Sequence, residues 1–208
     1  GVHDDPAEVL IVGGGDGAST REVRKHDPDH VDVVEIDDRV IDVAKEYFPE
    51  FARDFDDPRV AVHNMDGRRF VREGERTYDI VIMDISDPQG PAKTVFTSDF
   101  YRELKPRLTD TSVLHTHCES PDVARDDFYR ILATLEEHFE HVAPYRHWVP
   151  AYVDFWGRAV ASDAHSAYEL SVAEIANRLD ARGVCMGWLN PELCHAMFRS
   201  LNKEVIGR

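Results

Sequence analysis

The chain has 208 residues, 40 of them Asp or Glu and 24 Lys or Arg, for a net charge of −16. That length accommodates one domain of upper-middle size, or one with a small appendage. The acid excess disfavours nucleic acid as a partner, because phosphate contacts need a basic face. No stretch reaches the roughly 18 apolar residues of a membrane span, and no charged-then-apolar signal opens the chain, so a cytoplasmic protein with no membrane partner is expected. The acids are spread along the chain, which predicts a solvated acidic surface of the kind suited to a high-salt cytoplasm. Cys118, Cys185 and Cys194 form no C-x-x-C pair and are expected to be reduced, structural thiols.

Glu8 to Val12 predicts a strand, followed at once by Gly13-Gly14-Gly15-Asp16-Gly17 and a helix through Ser19 to Lys25. Glycines there let the backbone turn sharply and approach a ligand at the helix N-terminus. Gly13, Gly15 and Ala18 satisfy G-x-G-x-x-G/A, a weak pattern alone that gains weight from the order strand, glycine turn, helix. The next strand, Val31 to Ile36, carries Glu35 about 20 residues beyond the glycines, where a carboxylate accepts hydrogen bonds from ribose hydroxyls. A nucleoside ligand is therefore expected. Two readings stand for Asp16: it caps the helix, or it lies beside the ligand, where it would repel a pyrophosphate and suit an ammonium or sulfonium. The second favours a ligand of the S-adenosylmethionine type over NAD.

Asp38 to Tyr47 reads as a helix, Phe51 to Pro58 as loop, and Val60 to His63 as a third strand ending near Asp66-Gly67. That pair either accepts an adenine amino group or makes a simple turn. After a short helix from Arg68 to Glu73, Tyr78 to Met83 is an apolar, β-branched run, read as a buried parallel strand. It ends in Asp84 and Asp87 and a Pro-Gln-Gly-Pro turn that continues neither strand nor helix. In open α/β sheets ligands bind outside the carboxyl ends of strands, so both acids are expected in the cleft, facing a cation; the plainer reading makes them turn residues.

Ser98 to Leu108 predicts a helix and Ser112 to His117 a fifth strand, with His115, His117 and Glu119 alternating onto one face. Such a trio suits a metal ion, but no further ligand sits at zinc spacing; the favoured reading puts His117 and Glu119 at the cleft mouth while His115 packs. Asp122 to Phe139 is an amphipathic helix with a core stripe. His141 to Val149 and Phe155 to Ser162 predict a terminal hairpin, with Trp148 and Trp156 as packing residues. Tyr152 at its apex either projects its hydroxyl into the cleft or is an exposed loop aromatic. Helices are expected over Leu170 to Ala181 and from Pro191 onward.

Taken together, Val9-Leu-Ile-Val-Gly-Gly-Gly-Asp-Gly, Val34-Glu-Ile-Asp, Asp66-Gly, Asp84-Ile-Ser-Asp-Pro-Gln-Gly-Pro, Glu119-Ser-Pro, Val149-Pro-Ala-Tyr and Leu189-Asn-Pro-Glu-Leu-Cys-His resemble the polyamine aminopropyltransferases, the spermidine synthase family. The resemblance covers nearly the whole chain, and the Asp-x-Ser-Asp-Pro-x-Gly-Pro segment is its most specific part. It implies a Rossmann-like, mostly parallel α/β sheet of the S-adenosylmethionine-dependent transferase type, seven-stranded, with a C-terminal antiparallel hairpin. It also implies transfer of an aminopropyl group from decarboxylated S-adenosylmethionine, as co-substrate, to putrescine, agmatine or spermidine, leaving methylthioadenosine, with no metal or other cofactor. A homodimer is compatible with the pattern. By the same resemblance Asp84 accepts the proton, and Asp87 and Tyr152, with His117 and Glu119, hold the acceptor amine. Gly13, Gly15, Asp16, Gly17, Glu35, Ile36, Asp66, Gly67 and Pro91 hold the nucleoside.

Three departures qualify these expectations. The chain starts at Gly1, just before the first predicted strand, so residues 1–208 are expected to be a single catalytic domain without the small N-terminal β domain usual in the family. His117 stands where many members have Gln. Tyr152 is followed by Val-Asp-Phe-Trp-Gly, closer to forms that use longer or different acceptors. The alternatives are a methyltransferase on the same fold or a non-catalytic nucleoside- or polyamine-binding module.

Overall fold

Short apolar strands alternating with amphipathic helices bury both faces of a sheet when helices cover each side. The computed structural model describes residues 2–185, 187 and 189–201, with the backbone but not the side chain of Pro91. Its strands are β1 (Glu8–Gly13), β2 (His30–Glu35), β3 (Val60–Asn64), β4 (Tyr78–Asp84), β5 (Leu108–Glu119), β6 (His141–Val149) and β7 (Asp154–Ser162). Its helices are α1 (Ala18–Arg24), α2 (Asp38–Tyr47), α3 (Pro49–Ala52), α4 (Gly67–Glu73), α5 (Ser98–Leu104), α6 (Arg125–Glu136), α7 (Val172–Ala181) and α8 (Pro191–Met197).

The strands form one seven-stranded sheet in the order β3-β2-β1-β4-β5-β7-β6. The β3-β2-β1-β4-β5 pairings are parallel, and β7 runs antiparallel to both of its neighbours. This is the transferase-type sheet with a C-terminal hairpin that the sequence pattern predicts. On one face Leu10, Val12, Val81, Met83 and Leu114 join a core with Phe100, Tyr101 and Leu104 of α5 and Phe128, Ile131 and Leu135 of α6. On the other, Val9, Ile11, Val31 and Val33 pack with Ile41 and Ala44 of α2 and Ala52 of α3. Each fully buried Val, Leu, Ile, Met or Phe among these contributes about 1.5–3 kcal/mol, and β1 and β4 sit at the centre of the sheet as the platform for a site at their ends.

Several expected boundaries shift. The segment read as loop after Phe51 is helical: Pro49 starts α3 at a position where its missing N–H costs nothing, and a 3-10 turn over Arg53–Asp56 buries Phe55. The helix expected to reach Leu108 stops at Leu104, because Pro106 lies in the following 3-10 turn Lys105–Arg107 and cannot donate to a continuing helix. α6 begins at Arg125 rather than Asp122, since Ser120 Oγ accepts from the backbone N–H groups of Asp122 and Val123 and holds them in a turn. β5 is longer than predicted. α7 starts at Val172 behind a capping box of Ser171 and Glu174.

Candidate active site

The glycine turn is shaped by how closely β1 and β4 end together. Gly13 is in register with Asp84, and the Gly14 N–H donates to the Asp84 carbonyl at 2.8 Å. Gly13 has φ 85°, and a Cβ there would stand 2.0 Å from the Asp84 carbonyl oxygen. Only glycine fits. The Asp84 side chain is then held by α1: Ser19 Oγ donates to its Oδ2 at 2.5 Å. At the end of β2, Glu35 accepts from the backbone N–H of Gly15 at 3.2 Å and of Asp37 at 3.0 Å.

These strand ends enclose a hollow of about 320 Å³ lined by Gly13, Glu35, Ile36, Asp66, Gly67 and Asp84, and roofed by Ile85, Ser86, Ala92, Thr94 and Val95. Much of the expected nucleoside set thus converges on one cavity. Asp66 also caps α4, accepting from the Arg69 N–H at 2.8 Å. Gly67 is glycine for a packing reason, since a Cβ would lie 2.5 Å from Val12 Cγ1. The remaining members stand differently. Gly15 is tied to Glu35, and Gly17 (φ 84°) abuts the Phe51 carbonyl, 2.6 Å from where a Cβ would be. Asp16 is exposed, is not in the cavity wall, and accepts from the Ala18 N–H at 2.9 Å, while the cap position of α1 is Gly17, without a side-chain cap bond. Pro91 lies in the 3-10 turn Gly90–Val95, and its side chain is outside the described residues.

Beyond Asp84 a second cluster forms. One ligand atom each from Asp87, His117 and Glu119 lies within 4.8 Å of the others. Asp87 is exposed, while His117 and Glu119 are only 4% and 7% exposed. Oε1 of Glu119 has no hydrogen-bond partner among the described residues, and the Ser86 backbone bears on the His117 ring. Glu119 arrives there through a bulge: His117 pairs with Arg158 but Glu119 with Gly157, and Glu119 adopts φ 68°. Burial and then the neighbouring Asp87 push its carboxyl up to about 7. Burial, helped by Arg158, lowers His117, against the pull of Asp87 and Asp84.

The bulge also corrects the expected alternation. His115 is paired instead with Tyr145, its Nε2 lying 2.9 Å from the hydroxyl, and burial lowers it to about 3. The trio that can hold a metal ion or an ammonium is therefore Asp87, His117 and Glu119, not His115, His117 and Glu119.

Tyr152 is 60% exposed at the turn between β6 and β7, the loop-aromatic reading of its position. It is nevertheless joined to the cluster. Its ring lies 4.8 Å from Trp156, Trp156 stacks on His117 at 6.4 Å, and His117 meets Phe96 edge-on at 5.1 Å. Trp156 is a packing residue as expected, but it packs inside the site. Ser19, Trp156 and Phe96 escaped sequence reasoning. For Ser19 the available signal was a hydroxyl in the first turn after the glycines; for Trp156, the spacing of four from Tyr152 across a turn. A larger hollow of about 470 Å³, walled by Val9, Ile80, Ile82, Val113 and His115 beside α1, lacks the strand-end carboxylates and offers a cation little.

Chemically, Glu35, Asp66 and Asp84 line the hollow, Asp87 and Glu119 stand with His117 in a second group on which Asp84 also acts, and the arrangement suits a cationic nucleoside beside a second cation. Residues 1–170 match the model of the spermine/spermidine synthase domain. The chain is 38% identical over 184 residues to a polyamine aminopropyltransferase of Nitrosomonas europaea, covering 88% of this chain and 57% of that protein. It is 36% identical over 198 residues to one from Korarchaeum cryptofilum, covering 94% and 61%. It therefore spans about three fifths of the length of these curated relatives. A spermidine synthase structure in complex with the transition-state analogue AdoDATO superposes with a TM-score of 0.87 at 27% identity, over 98% of this chain and 69% of that one. Spermidine synthase from Thermotoga maritima gives 0.84 at 26%, over 98% and 67%. With the glycine turn, the acids at the strand ends and this match in hand, the chain belongs to the spermine/spermidine synthase family.

Proposed function

We propose that this protein transfers an aminopropyl group from decarboxylated S-adenosylmethionine to a polyamine or related amine, such as putrescine, agmatine or spermidine, and releases methylthioadenosine. The observation that carries the reading is the place of Asp84: it lines the nucleoside-sized hollow and also acts electrostatically on His117 in the neighbouring cluster. In this reading Glu35 receives the ribose hydroxyls, and Asp66 and Gly67, with Pro91, receive the adenine. Asp84, in the wall of the hollow, faces the cationic end of the donor, while Asp16 stands outside it. Asp87, Glu119 and Tyr152 hold the acceptor.

Attack on the methylene beside sulfur requires a neutral amine. Moving a proton from an alkylammonium near pKa 10.4 to a free carboxylate near 3.9 costs roughly 9 kcal/mol in water. Crowding two cations into one acidic cleft reduces that gap by depressing the ammonium, and fixed positioning of both reactants supplies much of the remaining acceleration. The test is mass spectrometry for methylthioadenosine after incubation with the donor and a panel of amines. Formation dependent on one of them is expected; no product with any amine would reduce the protein to a nucleoside- or polyamine-binding homologue.

A further inference from the structure

We propose that Asp87, His117 and Glu119 form a binding site for a divalent transition-metal ion such as zinc, held through one imidazole nitrogen and two carboxylate oxygens. One ligand atom of each residue already lies within 4.8 Å of the other two. Ligand atoms around a single zinc ion, each about 2.0–2.2 Å from it, stand roughly 3–4 Å apart, so a small movement closes the set. Asp87 is exposed on the turn after β4 and supplies both that movement and a path from solvent. A second observation points the same way. Glu119 is only 7% exposed, yet its Oε1 has no hydrogen-bond partner among the described residues. Buried carboxylate oxygens are ordinarily paired with a donor or a cation, whereas the neighbour here is a second carboxylate, Asp87. A cation between the two relieves their repulsion.

The His117 ring is set up as ligating imidazoles usually are. A hydrogen bond with the Ser86 backbone engages one ring nitrogen, which leaves the lone pair of the other for a metal. Phe96 edge-on and Trp156 stacked fix the plane of the ring. Arg158, opposite His117 on β7, and Arg130 oppose a cation here, but Asp84, Asp87, Glu119 and Asp127 outnumber them. Imidazole with two carboxylates suits zinc, manganese or iron rather than magnesium or calcium, which take oxygen ligands. Cys118, between the two β5 ligands, packs in the core and adds no sulfur. Asp32 also meets two histidines, with His63 Nε2 at 2.6 Å and His30 Nε2 at 3.1 Å from its Oδ1. Its other oxygen is taken by the Tyr78 hydroxyl and Arg76, so that group is satisfied and serves as a control. The carboxylates of the proposed site are those assigned above to the acceptor ammonium. Ion and ammonium are thus alternative occupants, and the site stands whether or not the protein transfers aminopropyl groups.

The experiment is calorimetric titration of zinc into chelator-treated protein, comparing wild type with Asp87→Asn, Glu119→Gln and the control His63→Gln. Wild type and control are expected to bind zinc equally, and each cluster variant at least about 10-fold more weakly. Asp87 is exposed, so Asp87→Asn decides the matter should Glu119→Gln fail to fold. The ring nitrogens of ¹⁵N-histidine-labelled wild type locate the ion independently, and those of His117 are expected to shift as zinc is added. No zinc uptake by the wild type, equal uptake by wild type and the folded cluster variants, or a His117 ring that does not respond would each overturn the proposal. Equal uptake would mark the ion as bound to the acidic surface only.

Discussion

Glu119 carries a measurable cost. Its carboxyl ionises near 4.5 in the unfolded chain and near 7 in the fold, because burial and Asp87 both disfavour the charge. The folded state therefore binds the extra proton between these values, so stability is greatest below about pH 4.5 from this group and declines as pH rises toward 7. The loss is on the order of 3 kcal/mol. Glu119→Gln removes it: thermal denaturation is expected to show the variant gaining on wild type between pH 5 and pH 8, whereas melting curves that stay parallel across this range would contradict the assignment. Asp84→Asn is expected to abolish turnover while leaving donor binding, read by calorimetry, within a few-fold; near-full turnover would remove Asp84 from the chemistry. The acids at strand ends were legible in the sequence as one of two readings, because a buried strand that stops in Asp-x-x-Asp-Pro puts its carboxylates either in the cleft or in a plain turn. Ser19, Phe96 and Trp156 were not, since their roles depend on contacts between residues far apart in the chain.

At the scale of elements, the site depends on two departures from regular structure, the glycine turn after β1 and the bulge at the end of β5. The bulge needs Gly157 opposite: a Cβ there would meet Phe128 Cε2 at 2.5 Å and the Glu119 carbonyl at 2.6 Å. Gly157→Ala is expected to destabilise the fold by about 1–3 kcal/mol through overpacking, and to weaken amine binding more than nucleoside binding. Denaturant melts and separate titrations check this; equal losses for both ligands would sever the bulge from the acceptor cluster. Most strands and helices followed from periodicity and caps, and α2 matches its predicted span. The bulge did not, because strict alternation of His115, His117 and Glu119 gives no sign of an extra residue. Nor did α3, where Pro49 and the aromatic neighbours Phe48 and Phe51 read equally well as loop. The start of α6 was hidden for a related reason, since Ser120 binds two backbone N–H groups that periodicity alone assigns to the helix.

Over the whole molecule, the charge of −16 acts both as a solubility device and as a source of self-repulsion. Raising salt from about 0.01 M to 1 M shortens the screening length from about 30 to 3 Å, so the melting temperature is expected to rise with salt. A flat or falling trend would show that the acids are not crowded enough to matter. None of the described helices is long and apolar enough to cross a membrane. On the proposed reading, the acids at the ends of β2 and β4 favour a decarboxylated donor over its carboxylated parent. The most direct measurement is calorimetric binding of decarboxylated S-adenosylmethionine and of S-adenosylmethionine itself to the same protein. The decarboxylated form is predicted to bind at least about 10-fold tighter, some 1.4 kcal/mol. Equal affinity, or preference for the form that keeps its carboxylate, would contradict the account.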